Sequence, residues 1–109
     1  MKLWIDDVRP APEGYKWVKS SNEAYRLVNT YSLLYDNEEV LIDLDHNAGK
    51  YAKNGGDYIY ILNYIEQLCL HRDWRNYIKD KFTFHIHSMN PVGRENMRRI
   101  IQKNGWKEV

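Results

Sequence analysis

The sequence predicts an α/β sandwich with a mostly parallel sheet of about five strands, folded as one domain over residues 1–109. Three observations carry this. Short apolar runs alternate with helical patterns in the order β-β-α-β-α-β-α-β, as in a sheet crossed by helices. Three of the runs lead into polar clusters: Leu3, Trp4 and Ile5 into Asp6 and Asp7; Val40, Leu41 and Ile42 into Asp43, Leu44, Asp45 and His46; Phe82, Thr83 and Phe84 into His85, Ile86, His87 and Ser88. The 109 residues are 43% hydrophobic, enough for one ordinary core.

Residues 2–5 read as the first strand. The next stretch, to Gly14, cannot be regular, because Pro10 and Pro12 lack an N–H and restrict the residue before them. Residues 15–18 form a short second strand. Ser20 or Ser21 caps a helix with Glu23 in its first turn, and Ala24, Leu27, Val28, Tyr31 and Leu34 follow at helical spacing. Residues 39–44 are the third strand and 47–56 a glycine-rich loop. Asp57 opens a long helix with Ile61, Leu62, Ile65, Leu68 and Cys69 on one face. It runs to about Leu70 or breaks near His71, and Trp74 and Tyr77 mark a second short helical piece. Residues 82–87 are the fourth strand. Pro91 suits the first turn of a last helix, whose core face is Met97, Ile100 and Ile101. Asn104 and Gly105 end it, and 106–109 form a final short strand.

Composition excludes several classes. A net charge of +1 gives no field to draw the chain onto duplex DNA or an anionic membrane. No apolar run approaches the ~18 residues of a membrane span. The lone Cys69 rules out a disulfide framework, and its apolar neighbours make it a small buried hydrophobe. The opening residues do not read as a signal peptide, and a cytoplasmic location is the expectation. Aromatic residues are 14% of the chain, as core or as rings that stack on a base.

Ligands of open α/β sheets bind outside the carboxyl ends of the strands. If the three strands are parallel neighbours, their tips converge. In the last of them, His85 and His87 share a face, about 7 Å apart. Two such imidazoles can share a ligand or metal, or divide acid and base roles; the competing reading makes His85 a core histidine. Asp43 and Asp45 share a face likewise. Buried carboxylates are costly unless paired or metal-bound, so Asp6, Asp7, Asp43 and Asp45 are candidate ligands of Mg²⁺ or Mn²⁺. Adding His46 or His87 would favour Mn²⁺ or Zn²⁺. Ser88, Asn90, Pro91, Gly93 and Arg94 place polar groups and backbone N–H ahead of a helix, a ready anion site. Arg94 and Arg9 are candidate bidentate phosphate contacts. Arg98, Arg99 and Lys103 read as an exposed basic face.

An acidic pair after the first strand, an Asp at the end of the third and a hydroxyl after the fourth resemble a response-regulator receiver domain. More specifically, the segments Leu3–Pro10, Leu44–His46, Gly55–Tyr58 and, most distinctively, His87–Arg94 resemble the cyclic-phosphate processing receiver family across nearly the whole chain. The resemblance implies a receiver-like, flavodoxin-like three-layer sandwich. It also implies binding or hydrolysis of cyclic phosphates, such as cyclic nucleotides or cyclic-phosphate-ended RNA. It points to Asp6, Asp7, Asp45, His46, His87, Ser88, Asn90 and Arg94. Two departures stand out: Asn47 where the family usually has a second Asp, and Asp43 where a small residue is common. Asp43 can replace the lost carboxylate. An ordinary receiver's lysine after the fifth strand has no counterpart, and one His-x-Ser setting does not make a double-histidine phosphoesterase.

Three functions are consistent with this pattern. The first is a metal-assisted cyclic phosphodiesterase with His87, His46 and Asp45 as catalytic residues and Ser88, Asn90, Arg94, Arg9 and His85 on the phosphate. The second is a module that captures a cyclic nucleotide intact, with Tyr51 or Tyr58 stacking on the base. The third is a degenerate receiver that acts as a protein-interaction domain.

Overall fold

The structure, a computed structural model, describes residues 1–34 and 38–109; the side chains of 31–34, Tyr31 and Leu34 among them, lie outside the described residues. Five strands form one all-parallel sheet: β1 (Lys2–Ile5), β2 (Lys16–Val18), β3 (Val40–Leu44), β4 (Phe82–Ile86) and β5 (Lys107–Glu108), in the order β2-β1-β3-β4-β5. The helices are α1 (Ser21–Leu34), α2 (Ile59–Leu68), α3 (Arg72–Lys81) and α4 (Pro91–Lys103). The three strands with polar tips are thus adjacent, as expected.

Local chemistry sets the helix ends. Ser20 caps α1, its Oγ accepting from the Glu23 N–H at 3.2 Å. Asn90 caps α4 through the Gly93 N–H at 3.1 Å, with Pro91 in the first turn. The loop after β3 contains a 3₁₀ turn, Gly49–Lys53, and α2 starts at Ile59, two residues beyond Asp57. That carboxylate instead accepts the Ala48 N–H at 3.0 Å and closes the loop on itself. The short piece expected near Trp74 is a ten-residue helix, α3, which buries Ile78.

Leu3, Ile5, Ile42, Leu44, Phe82, Phe84 and Ile86 are buried, and α1, α2 and α4 join them in the core through Ala24, Val28, Ile61, Leu62, Ile65, Met97 and Ile101. Because α2 contacts both α1 and α4, these three helices form one layer. The alternate strand residues Trp4, Leu41, Thr83 and His85 face the other way and are half-buried. There the third layer is a loop. Trp4 Nε1 donates to the Arg9 carbonyl at 2.9 Å, and the Trp4 ring meets Tyr15 edge-on at 6.0 Å. Pro10 and Pro12 are why no helix forms in that position.

Tyr58 is fully buried, and its hydroxyl donates to the Lys19 carbonyl at 2.8 Å. The expectation that it stacks on a base is therefore corrected. Burial raises its pKa far above the ordinary phenol value. Tyr58→Phe is expected to cost about 1 kcal/mol of stability, read from the urea midpoint, because the Lys19 carbonyl loses its donor.

Candidate functional site

The sheet ladder continues one residue beyond each central strand. Asp6 N–H donates to Val18, Asp45 N–H to Ile5 and His87 N–H to Leu44 at 2.9–3.1 Å, so the three tips lie side by side. At their centre is His87, with a side chain 9% exposed. Its Nδ1 lies 2.6 Å from Asp43 Oδ1 and its Nε2 2.9 Å from Asp6 Oδ2. Its ring stacks on the Trp4 indole with centroids 3.8 Å apart and planes 2° from parallel. Each ring nitrogen thus faces a carboxylate oxygen, which accepts a proton-bearing nitrogen as partner.

Asp6 is 1% exposed and well supplied with donors. Oδ1 accepts the N–H groups of Val8 and Arg9 at 2.9 and 2.8 Å, and Oδ2 takes His87 and Arg9 Nε. Burial alone would raise its pKa; these donors and the Arg9 charge outweigh it and hold the carboxyl below its ordinary value of 3.8. A depressed carboxylate stabilises the fold above its unfolded pKa, and that stability is lost as pH falls through the folded pKa. The urea midpoint is thus expected to fall as pH drops below about 4, with a shallower acid limb in Asp6→Asn.

Arg9 bridges the carboxylates, with Nη2 3.4 Å from Asp45 Oδ2 and 3.2 Å from the His87 carbonyl. Its side chain is still 47% exposed and, with Asp45, Asn47, Ser88, Met89 and Asn90, lines an open cavity of about 410 Å³. Ser88 is buried and its Oγ accepts the Asn90 N–H at 3.1 Å. His46 places Nδ1 3.0 Å from Asn47 Oδ1, and its ring lies against Gly93 in the first turn of α4. A Cβ at Gly93 would overlap that ring. Gly93→Ala is therefore expected to displace the His46 ring and lower stability, read from the urea midpoint, because the overlap falls at the base of the ring and outweighs the ~0.5–1 kcal/mol that alanine lends the helix.

The structure gathers some expected residues and separates others. Ligand atoms of Asp6, Asp45 and His87 lie within 4.8 Å of one another, the one such grouping among the described residues. Asp43, expected as a metal ligand, instead supports His87 from behind. Asp7, also expected as a ligand, is not in that grouping: its carboxylate lies against Gly49, where φ is +54° and a Cβ would overlap it. His85 is one residue pair short of the tip, and its Nδ1 sits 2.7 Å from the Val109 carbonyl, so it does not reach the cavity. Arg94 is exposed, with no ion pair among the described residues, and does not line the cavity. Tyr51 packs partly on the core, with Lys50 Nζ 5.4 Å from its ring centroid. Of the basic face on α4, Arg98 instead pairs with Glu108 at 2.9 Å, while Lys103 is exposed. Trp4 was missed as a site residue. Its apolar strand setting hides it; only the register pairing it with Asp43 shows that it shares the histidine face.

An all-parallel, five-stranded α/β sheet with carboxylates at its central strand tips defines a receiver-type domain. The sequence model of the cyclic-phosphate processing receiver domain matches residues 1–103, and the chain belongs to that family. No curated protein and no solved structure matches it. Among the described residues, no helix is long and apolar enough to cross a membrane.

Proposed function

We propose that this site hydrolyses a cyclic phosphodiester, in a cyclic nucleotide or a cyclic-phosphate RNA end, with a divalent metal ion. The observation that carries the reading is the line Asp43–His87–Asp6. Metal-ligating histidines usually give their second N–H to a carboxylate, which fixes the tautomer and leaves the other nitrogen for the metal. Asp43 on Nδ1 and Trp4 on the ring face hold His87 in that way, with Nε2 beside Asp6 and Asp45. Two carboxylates and one imidazole suit Mn²⁺ or Zn²⁺ better than Mg²⁺. When bound, such an ion would polarise the phosphate and lower the pKa of water.

The remaining roles fall to the cavity wall. Arg9 is both exposed and charged, and once released from Asp6 and Asp45 its guanidinium can grip two non-bridging oxygens. Ser88 and Asn90 line the same wall; the Asn90 Oδ1 is engaged by the cap, which leaves its amide N–H groups for the ligand. Both nitrogens of His87 are engaged, so acid–base work falls to His46, which does not itself line the cavity but adjoins Asp45 and Asn47, which do; its Nδ1 faces Asn47 and its Nε2 has no partner among the described residues. Asp45, with Oδ2 toward the cavity, can orient water.

One observation favours capture without cleavage. Arg9 already neutralises Asp6 and Asp45 where a metal would sit. Incubation with 2′,3′- and 3′,5′-cyclic mononucleotides and Mn²⁺ separates the two. A linear monophosphate supports hydrolysis, whereas ligand retained at equal occupancy with or without Mn²⁺ and recovered intact supports capture.

A further inference from the structure

The opposite end of the sheet holds a second cavity, of about 450 Å³. It lies where α2 and α4 end and β5 begins, far along the fold from the strand tips. That volume is within the ~300–1,000 Å³ of small-molecule sites. Its floor is Trp106, 7% exposed, and Cys69, 8% exposed; Leu70, 80% exposed, stands at its edge.

Charge around this cavity is unbalanced. Lys103 Nζ pairs with Glu66 at 3.2 Å, and Asn104 Nδ2 donates to the same carboxylate at 2.7 Å. The Asn104 hydrogen bond, with Lys103 beside it, holds the Glu66 carboxyl below its ordinary value, so it is ionised at neutral pH. Arg75 and Lys79, one turn apart on α3, also line the cavity, and neither has an ion-pair partner among the described residues. With Lys103 and Glu66 cancelling, the wall carries two uncompensated positive charges above an apolar floor. The carbonyl ends of α2 and α4 account for a lysine in the last turn of α4. Lys79 is likewise in the last turn of α3, whereas Arg75 is in its first half, where the dipole of its own helix does not favour a cation.

We infer that this cavity binds a small organic anion, its phosphate or carboxylate held between Arg75 and Lys79 and its apolar body resting on Trp106, Cys69 and Leu70. An apolar floor with few placed polar groups is the usual make-up of a small-molecule site. The inference does not depend on hydrolysis at the strand tips.

Phenyl phosphate, which carries a dianion and one ring, is the probe, with inorganic phosphate beside it. The readout is the Trp106 indole N–H resonance of the full chain. The expected result is a saturable shift with phenyl phosphate, with a dissociation constant on the order of 1 mM for so small a ligand, and weaker binding of inorganic phosphate. Arg75→Gln with Lys79→Gln should weaken binding at least tenfold. Both side chains lie on an exposed helix surface, and an otherwise unchanged spectrum shows that the fold is kept. Arg9→Gln should leave the Trp106 shift as it is. No saturable Trp106 shift, a shift equal in the double variant, or one abolished by Arg9→Gln would each overturn the inference.

Discussion

His87→Ala is expected to cost both stability and activity, more than any other single change at the site. Removing the imidazole leaves Asp43 and Asp6, both buried, without their shared partner. Leaving a buried charge uncompensated costs roughly 3–5 kcal/mol, against a total stability of about 5–15. Asp6 keeps its two backbone donors and Arg9, so the penalty centres on Asp43. Urea unfolding reads the stability term directly. Asp43→Asn separates structure from function: an amide oxygen can still face His87 Nδ1, so the fold should survive. Metal affinity should drop by ~10–100-fold, as when the carboxylate behind a ligating histidine is lost. Equal metal affinity in Asp43→Asn would mean that His87 is a structural clamp and not a ligand.

Arg9→Ala should leave the fold intact, since its side chain is half in solvent, yet lower kcat/KM by ~10²–10³, the usual cost of deleting a charge-stabilising donor. It should also tighten Mn²⁺ binding, because a competing cation has been taken from Asp6 and Asp45. The two effects are opposite in sign; an arginine that only paired the carboxylates would give the tighter Mn²⁺ binding without the loss of kcat/KM. Calorimetric titration of Mn²⁺ into both proteins, beside steady-state kinetics, checks them together.

Much of this end of the molecule was legible because strand tips obey simple geometry. Parallel neighbours bring their carboxyl ends together, so Asp6, Asp45 and His87 could be placed at one spot from apolar runs and the residues that follow them. Parity put His85 and His87 on one face. Side-chain contacts decided which one matters, and these are invisible in a single sequence: Asp43 is paired with His85 in the register, yet His85 Nδ1 meets the Val109 carbonyl while His87 reaches Asp43 and Asp6. The same limit hid Trp4 and the supporting role of Asp43. Asp7 was over-counted: its carboxylate turns to Gly49, outside the grouping of Asp6, Asp45 and His87. Tyr58 looked like a loop residue beside Gly55 and Gly56, but it packs into the core with its hydroxyl on Lys19. The irregular stretch after β1 was readable from Pro10 and Pro12, but not that it covers Trp4, and the full length of α3 was masked by its mostly polar surface.

The most direct measurement is mass spectrometry of products after incubation with Mn²⁺ and a panel of 2′,3′-cyclic mononucleotides, 3′,5′-cyclic nucleotides and a short RNA with a 2′,3′-cyclic end. Hydrolysis at the strand tips predicts a linear phosphate from at least one of them, carrying one oxygen from labelled water, and its loss in Asp45→Asn, where the side chain is 18% exposed and an amide oxygen can still accept the His46 N–H, so the fold is spared. Every substrate recovered intact, or a product formed equally by Asp45→Asn, would contradict it.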